Sequence, residues 1–114
     1  EVVVVGWGGM GRGVSIAESC PSCGHTSWRV EEPSELIDAS RWDGSDFFMV
    51  WPMPNWRFLS DRAAAVLAKS PFRNFELVPA GEAKLSTKIV SPGRLSYLMP
   101  EERARELGLP LSIY

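Results

Sequence analysis

Two cysteines and the only histidine of this 114-residue chain fall within six positions, Cys20-Pro-Ser-Cys23-Gly24-His25. A CxxCG turn makes two sulfurs converge, because its glycine takes the positive φ that points backbone N–H groups at them. Thiolates at this spacing suit zinc, with Cys20 and Cys23 supplying sulfur and His25 a nitrogen. Tetrahedral zinc needs a fourth donor. Glu18 is the nearest carboxylate by sequence, and the other sources are a second copy in a homodimer or residues outside this sequence. Two free thiols, the relic of a lost ribbon, or a reversible disulfide fit the same six residues. Redox catalysis fits less well, since a reactive CxxC opens a helix, whereas Gly24 and the following Thr-Ser-Trp read as the start of a strand.

Other stretches weigh less. Gly6-Trp-Gly-Gly-Met-Gly11 satisfies GxGxxG formally, but Gly13, Val14, Ile16 and Pro21 oppose the long helix that a nucleotide phosphate site requires. The glycines read as a flexible turn region around Trp7 and Met10. In the aromatic run from Phe47 to Trp56 most side chains should be core, while Pro52 and Pro54 hold Met53 and Trp56 in a loop where they can stay exposed. Trp and Met on a rigid loop suit protein recognition. Trp7, Met10, Trp42, Met53 and Trp56 are therefore the candidate partner-binding residues. No nucleophile motif and no paired carboxylates accompany them, which argues against an enzyme. Asp43 and Asp46 flank a Gly-Ser pair and read as turn formers.

Composition narrows the classes further. The 45% hydrophobic and 23% charged residues are those of an average soluble protein, and a net charge of -2 offers no basic field for nucleic acid. No apolar run approaches the ~20 residues that span a bilayer. A soluble, cytoplasmic protein is expected, and the start at Glu1 on a valine run suggests a piece of a longer chain.

The elements that must position these residues can be sketched from pattern. Residues 2–5 read as a buried strand, and residues 14–18 and 26–32 as a hairpin with the CPSCGH turn at its tip. Residues 33–43 are irregular, with one helical turn over 34–37 capped by Ser34. Residues 47–51 form a central strand with Phe47, Met49 and Trp51 on one face and Phe48 and Val50 on the other, ended by the prolines. Ser60 caps a helix whose face carries Leu59, Ala63, Val66 and Leu67, and which stops near Lys69 and Pro71. Residues 75–78, 88–90 and 95–99 read as strands, with Leu95 and Tyr97 sharing a face. Pro100, Glu101, Glu102 and Gly108 frame a second helix. The expectation is one α+β domain over residues 1–114: a small, mostly antiparallel sheet with a zinc-ribbon-like hairpin at residues 14–32 and two short helices.

Cys20-Pro-Ser-Cys-Gly24, Asp46-Phe-Phe, Trp56-Arg-Phe-Leu-Ser-Asp-Arg62 and Phe75-Glu-Leu-Val-Pro79 together resemble the C-terminal module of the myxobacterial double-CxxCG proteins and related immunity proteins of bacterial polymorphic toxin systems. The likeness covers residues 18–80. It implies a non-catalytic protein that binds a partner, a toxin in the immunity proteins. The family's paired knuckles imply one zinc, of which only Cys20 and Cys23 carry over. A zinc-ribbon-like module in another regulatory protein–protein or nucleic-acid complex is the alternative.

Overall fold

The computed structural model describes residues 4–51, 53–83, 89–91 and 93–114. In chain order these form β1 (Gly6–Met10), β2 (Val14–Ser19), β3 (Thr26–Val30), β4 (Ile37–Asp38), β5 (Phe47–Val50), β6 (Met53–Leu59), α1 (Asp61–Ala68), β7 (Ile89–Ser91) and α2 (Glu101–Gly108). One sheet runs in the order β4-β1-β5-β6 and a second in the order β2-β3-β7. The α+β class is as expected. The sheets are antiparallel except at β1, which lies parallel to β5 with Gly6 opposite Phe48 and Gly8 opposite Val50.

β5 is central, and its two faces divide the core as its alternation predicts. Met49 and Trp51 enter one cluster with Trp7, Leu95 and Ile113. Phe48 and Val50 enter the other with Trp28 and Leu36. Phe47, expected beside Met49, is instead 48% exposed at the start of the strand. The hairpin β2–β3 is also as expected, pairing Val14 with Val30 and Ser19 with Thr26 around the cysteine turn. Two features fix α1. The Ser60 hydroxyl accepts from the Ala63 N–H at 3.1 Å, and Lys69 ends the helix. α2 follows Pro100, which takes the N-cap position rather than the first helical one.

Several expectations fail, each for a tertiary reason. The glycine stretch is no flexible turn: Gly6–Met10 is a strand, paired with β5 on one side and β4 on the other. Gly11 shows why a side chain is absent. A Cβ there would collide with the Glu35 carbonyl and lie 2.6 Å from the carbonyl carbon of Leu36. Val2 and Val3 fall outside the described residues, and the strand begins only at Gly6, with Val5 71% exposed. The turn at Pro33–Glu35 is 3-10, and its cap is Glu32, which accepts from the Ser34 N–H, not Ser34 itself.

Proline does not end the sheet after β5. Met53–Leu59 returns as β6, on the sheet's edge, with Pro54 inside an irregular stretch of the ladder where a missing donor is tolerated. Residues 75–78 form no strand: Asn74 turns the chain at φ 66, Pro79 follows, and Phe75 and Val78 stay exposed. Leu95–Tyr97 is a 3-10 turn, because the Tyr97 and Leu98 N–H groups bond to Arg94 and Leu95 carbonyls rather than to a ladder. Leu95 and Tyr97 consequently part company, one fully buried and the other 82% exposed. Of the strand expected over residues 88–90, Lys88 lies outside the described residues and β7 runs from Ile89 to Ser91. On α1 the expected apolar face is incomplete, since Ala63 is buried but Val66 is exposed.

Candidate functional site

The cysteine turn is closed by its own backbone. The Gly24 N–H donates to the Cys20 carbonyl at 2.9 Å, and the Cys20 N–H donates to the His25 carbonyl at 2.8 Å. Gly24 has φ 77, as the CxxCG pattern requires. Both cysteines are free, Cys20 half-buried and Cys23 exposed. The Cys20 sulfur accepts hydrogen bonds from the backbone and thiol of Cys23 and from the Ser22 N–H. With the Arg94 charge nearby, these hold its thiol below the ordinary range. The His25 side chain is exposed, and Glu18 accepts from the Ser27 hydroxyl across the hairpin at 3.5 Å. Among the described residues no group of three or more His, Cys, Asp or Glu side chains is gathered for a metal. The turn thus presents two sulfurs, short of the four donors of a closed zinc site.

Arg94 braces this turn, a role that no local pattern announces. One guanidinium nitrogen donates to the carbonyls of Pro21 and Ser22, each at 3.1 Å. The other donates to those of Ser112 and Tyr114 at 3.4 and 3.3 Å. The fork of a single side chain ties the hairpin tip to the chain's last residues.

Asp46 is more than a turn former. It accepts from the Ser60 hydroxyl and, at 3.0 Å, from Arg62 Nε, while its own carbonyl accepts the Ser60 N–H at 3.0 Å. The Asp-Phe-Phe and Ser-Asp-Arg stretches therefore meet as one network at the start of α1. Asp43 is the turn former expected. It accepts from the Ser45 N–H at 3.0 Å and also anchors β1 through the Trp7 N–H at 2.8 Å.

These carboxylates carry a pH dependence. The Ser60 hydroxyl and Arg62 hold Asp46 below the ordinary carboxylate range, and Arg105 and Tyr114 do the same for Glu101. At Asp43 burial pushes upward, but bonds from Ser45 and the Trp7 N–H outweigh it and the net shift is also downward. As the pH drops through about 4 the unfolded chain takes up protons first, so stability is full above that value and declines below it. Thermal melts should be level from neutral pH to about 5 and fall below about 4. A decline already under way between neutrality and pH 6 would contradict this.

The five candidate partner-binding residues do not form one surface. Trp7 and Met53 are core, at 8% and 0% exposure. Trp42 is half-buried, its ring tilted at 44° to that of Phe48 with centres 5.7 Å apart, and its indole N–H donates to the Ser45 carbonyl. Met10 and Trp56 are exposed. Around Trp56 the structure instead builds a groove of about 540 Å³ between β6 and residues 76–80, floored by Phe58, Leu59 and Ala64 and walled by Leu77 and Val78. Phe72 and Phe75, also exposed, precede its wall. A second pocket of about 460 Å³ lies at the start of α1, between Trp42, Phe48 and Arg62. Sequence reading missed the groove because residues 75–78 look like a strand. Their only signal was an apolar alternation next to Asn74 and Pro79.

Comparison with protein-family models, with curated proteins and with solved structures gives no match for this chain.

Proposed function

We propose that this chain is a non-catalytic protein-binding module, of the immunity type, whose partner is a toxin protein docking in the groove beside Trp56. The observation that carries the binding reading is the set of exposed apolar side chains that line it together: Trp56, Leu77 and Val78 are each 36–50% exposed. Scattered apolar residues are ordinary on a surface, but a contiguous set is a mark of an interface. Arg57, Asp61 and Glu76 edge the groove and would form a polar rim around an apolar centre. The occupant that fits is a folded protein presenting an aromatic or aliphatic knob. The toxin assignment rests on the resemblance carried by the cysteine turn and the Asp-Phe-Phe and Ser-Asp-Arg stretches.

Capture of the partner on immobilised chain, followed by calorimetry with the purified partner, tests the reading. Leu77→Glu should weaken binding by about tenfold or more, since it places a charge at the centre of the patch, while leaving the melting temperature unchanged. Equal affinity for wild type and variant would remove the groove from the interface. A captured partner without toxic activity would remove the immunity assignment.

A further inference from the structure

Neither cysteine lines the groove. They are the first and fourth residues of a five-residue turn closed by the Gly24-to-Cys20 hydrogen bond, 2.9 Å long. A turn closed in this way is a single helix-like turn, in which Cα atoms three residues apart lie about 5 Å from each other, and a disulfide spans about 4.4–6.8 Å between Cα atoms. Closure therefore needs no rearrangement of the hairpin. The turn is also held from outside. Arg94 fixes the carbonyls of Pro21 and Ser22, the two residues between the cysteines, and a Cβ on Gly24 would lie 2.8 Å from the Arg94 backbone nitrogen, so the two segments pack without a gap. Cys23 is open to solvent and Cys20 half-buried behind it.

We propose that Cys20 and Cys23 form a reversible dithiol–disulfide pair that exchanges with a small-molecule disulfide of the glutathione class. The exposed Cys23 sulfur, as thiolate, attacks one sulfur of the oxidant. The oxidant's S–S bond breaks, and one glutathione thiolate leaves. Cys20, as thiolate, then attacks the Cys23 sulfur of the mixed disulfide and expels the second glutathione. Two protein thiols are oxidised to one disulfide, one glutathione disulfide is reduced to two thiols, and the two cysteine protons end on the departing sulfurs. Arg94 is a positioning residue for the second step, because it keeps the turn closed while the mixed disulfide exists.

Intact-mass measurement of the chain incubated with oxidised glutathione tests the pair. Wild type should lose the mass of two hydrogens and carry no adduct, and a thiol reductant should restore it. Cys20→Ser, which lacks the resolving sulfur, should keep one glutathione. Arg94→Gln should accumulate mixed disulfide about tenfold over wild type, as expected if closure of the ring is what the clamp assists. Wild type that keeps its adduct, links into dimers or does not react would overturn the proposal. A zinc ion that stays with the thiols through purification and blocks exchange until chelated would overturn it equally.

Discussion

Gly11→Val is expected to cost about 3 kcal/mol or more, at the upper end of what overpacking does, and to lower the melting temperature by roughly 10 °C or more. Gly11 donates its N–H to the Leu36 carbonyl at 3.0 Å and is buried against the backbone of residues 35 and 36. The atoms a side chain would strike are the Glu35 carbonyl group and the Leu36 carbonyl carbon. Backbone cannot swing aside as a long side chain can. Relief would require pulling the 33–36 turn off the strand end, and with it Leu36, which is 1% exposed in the core. Gly81→Ala is the matched control. Its new methyl would sit 3.5 Å from Ser34 Cα, an ordinary contact, so its melt should stay within about 0.5 kcal/mol of wild type. A Gly11→Val protein melting like wild type would mean that strand and turn are not packed as described.

Trp28→Ala should be comparably severe, about 3–5 kcal/mol, because a fully buried indole is removed from beside Trp51, whose ring centre is 6.2 Å away. Size is only part of the expectation. The Trp28 indole N–H and the Thr26 hydroxyl are buried without a hydrogen-bond partner among the described residues. Among the described residues nothing replaces the water that each gave up. Trp28→Phe should therefore cost far less than the alanine change, since it keeps a ring and deletes an unpaired donor. Thr26→Val, nearly isosteric, should leave stability unchanged or raise it by about 1 kcal/mol. Denaturant unfolding of the three variants checks the set, and a clear loss for Thr26→Val would show that its hydroxyl is satisfied after all.

What could be read from sequence was what neighbours in sequence decide. The β2–β3 hairpin follows from alternation on both sides of a CxxCG turn, and α1 from Ser60 and its apolar spacing. The faces of β5 follow from strict alternation, apart from Phe47 at its exposed start. What distant segments decide was not legible. Glycine-rich β1 looks like a loop until its partners at residues 37–38 and 48–50 are known. Residues 75–78 and 95–97 alternate as strands do, yet have no ladder to join. The candidate surface suffered most, since Trp7 and Met53 carry the chemistry of an anchor and the burial of a core. At the cysteine turn the residues were plain, but the clamp on it, Arg94, bonds to carbonyls 72 and 73 positions away.

The parallel pairing of β1 with β5 bears on the order of assembly. No tight hairpin can join parallel strands, and here β2, β3 and β4 all lie between the two. The loop between them must close before the ladder returns any energy, whereas β2 and β3 meet across a turn of a few residues. The cysteine hairpin is thus the natural early structure of the chain. On this ordering the strand that carries Trp7 would dock late, and until it did one edge of β5 would stand open to other chains.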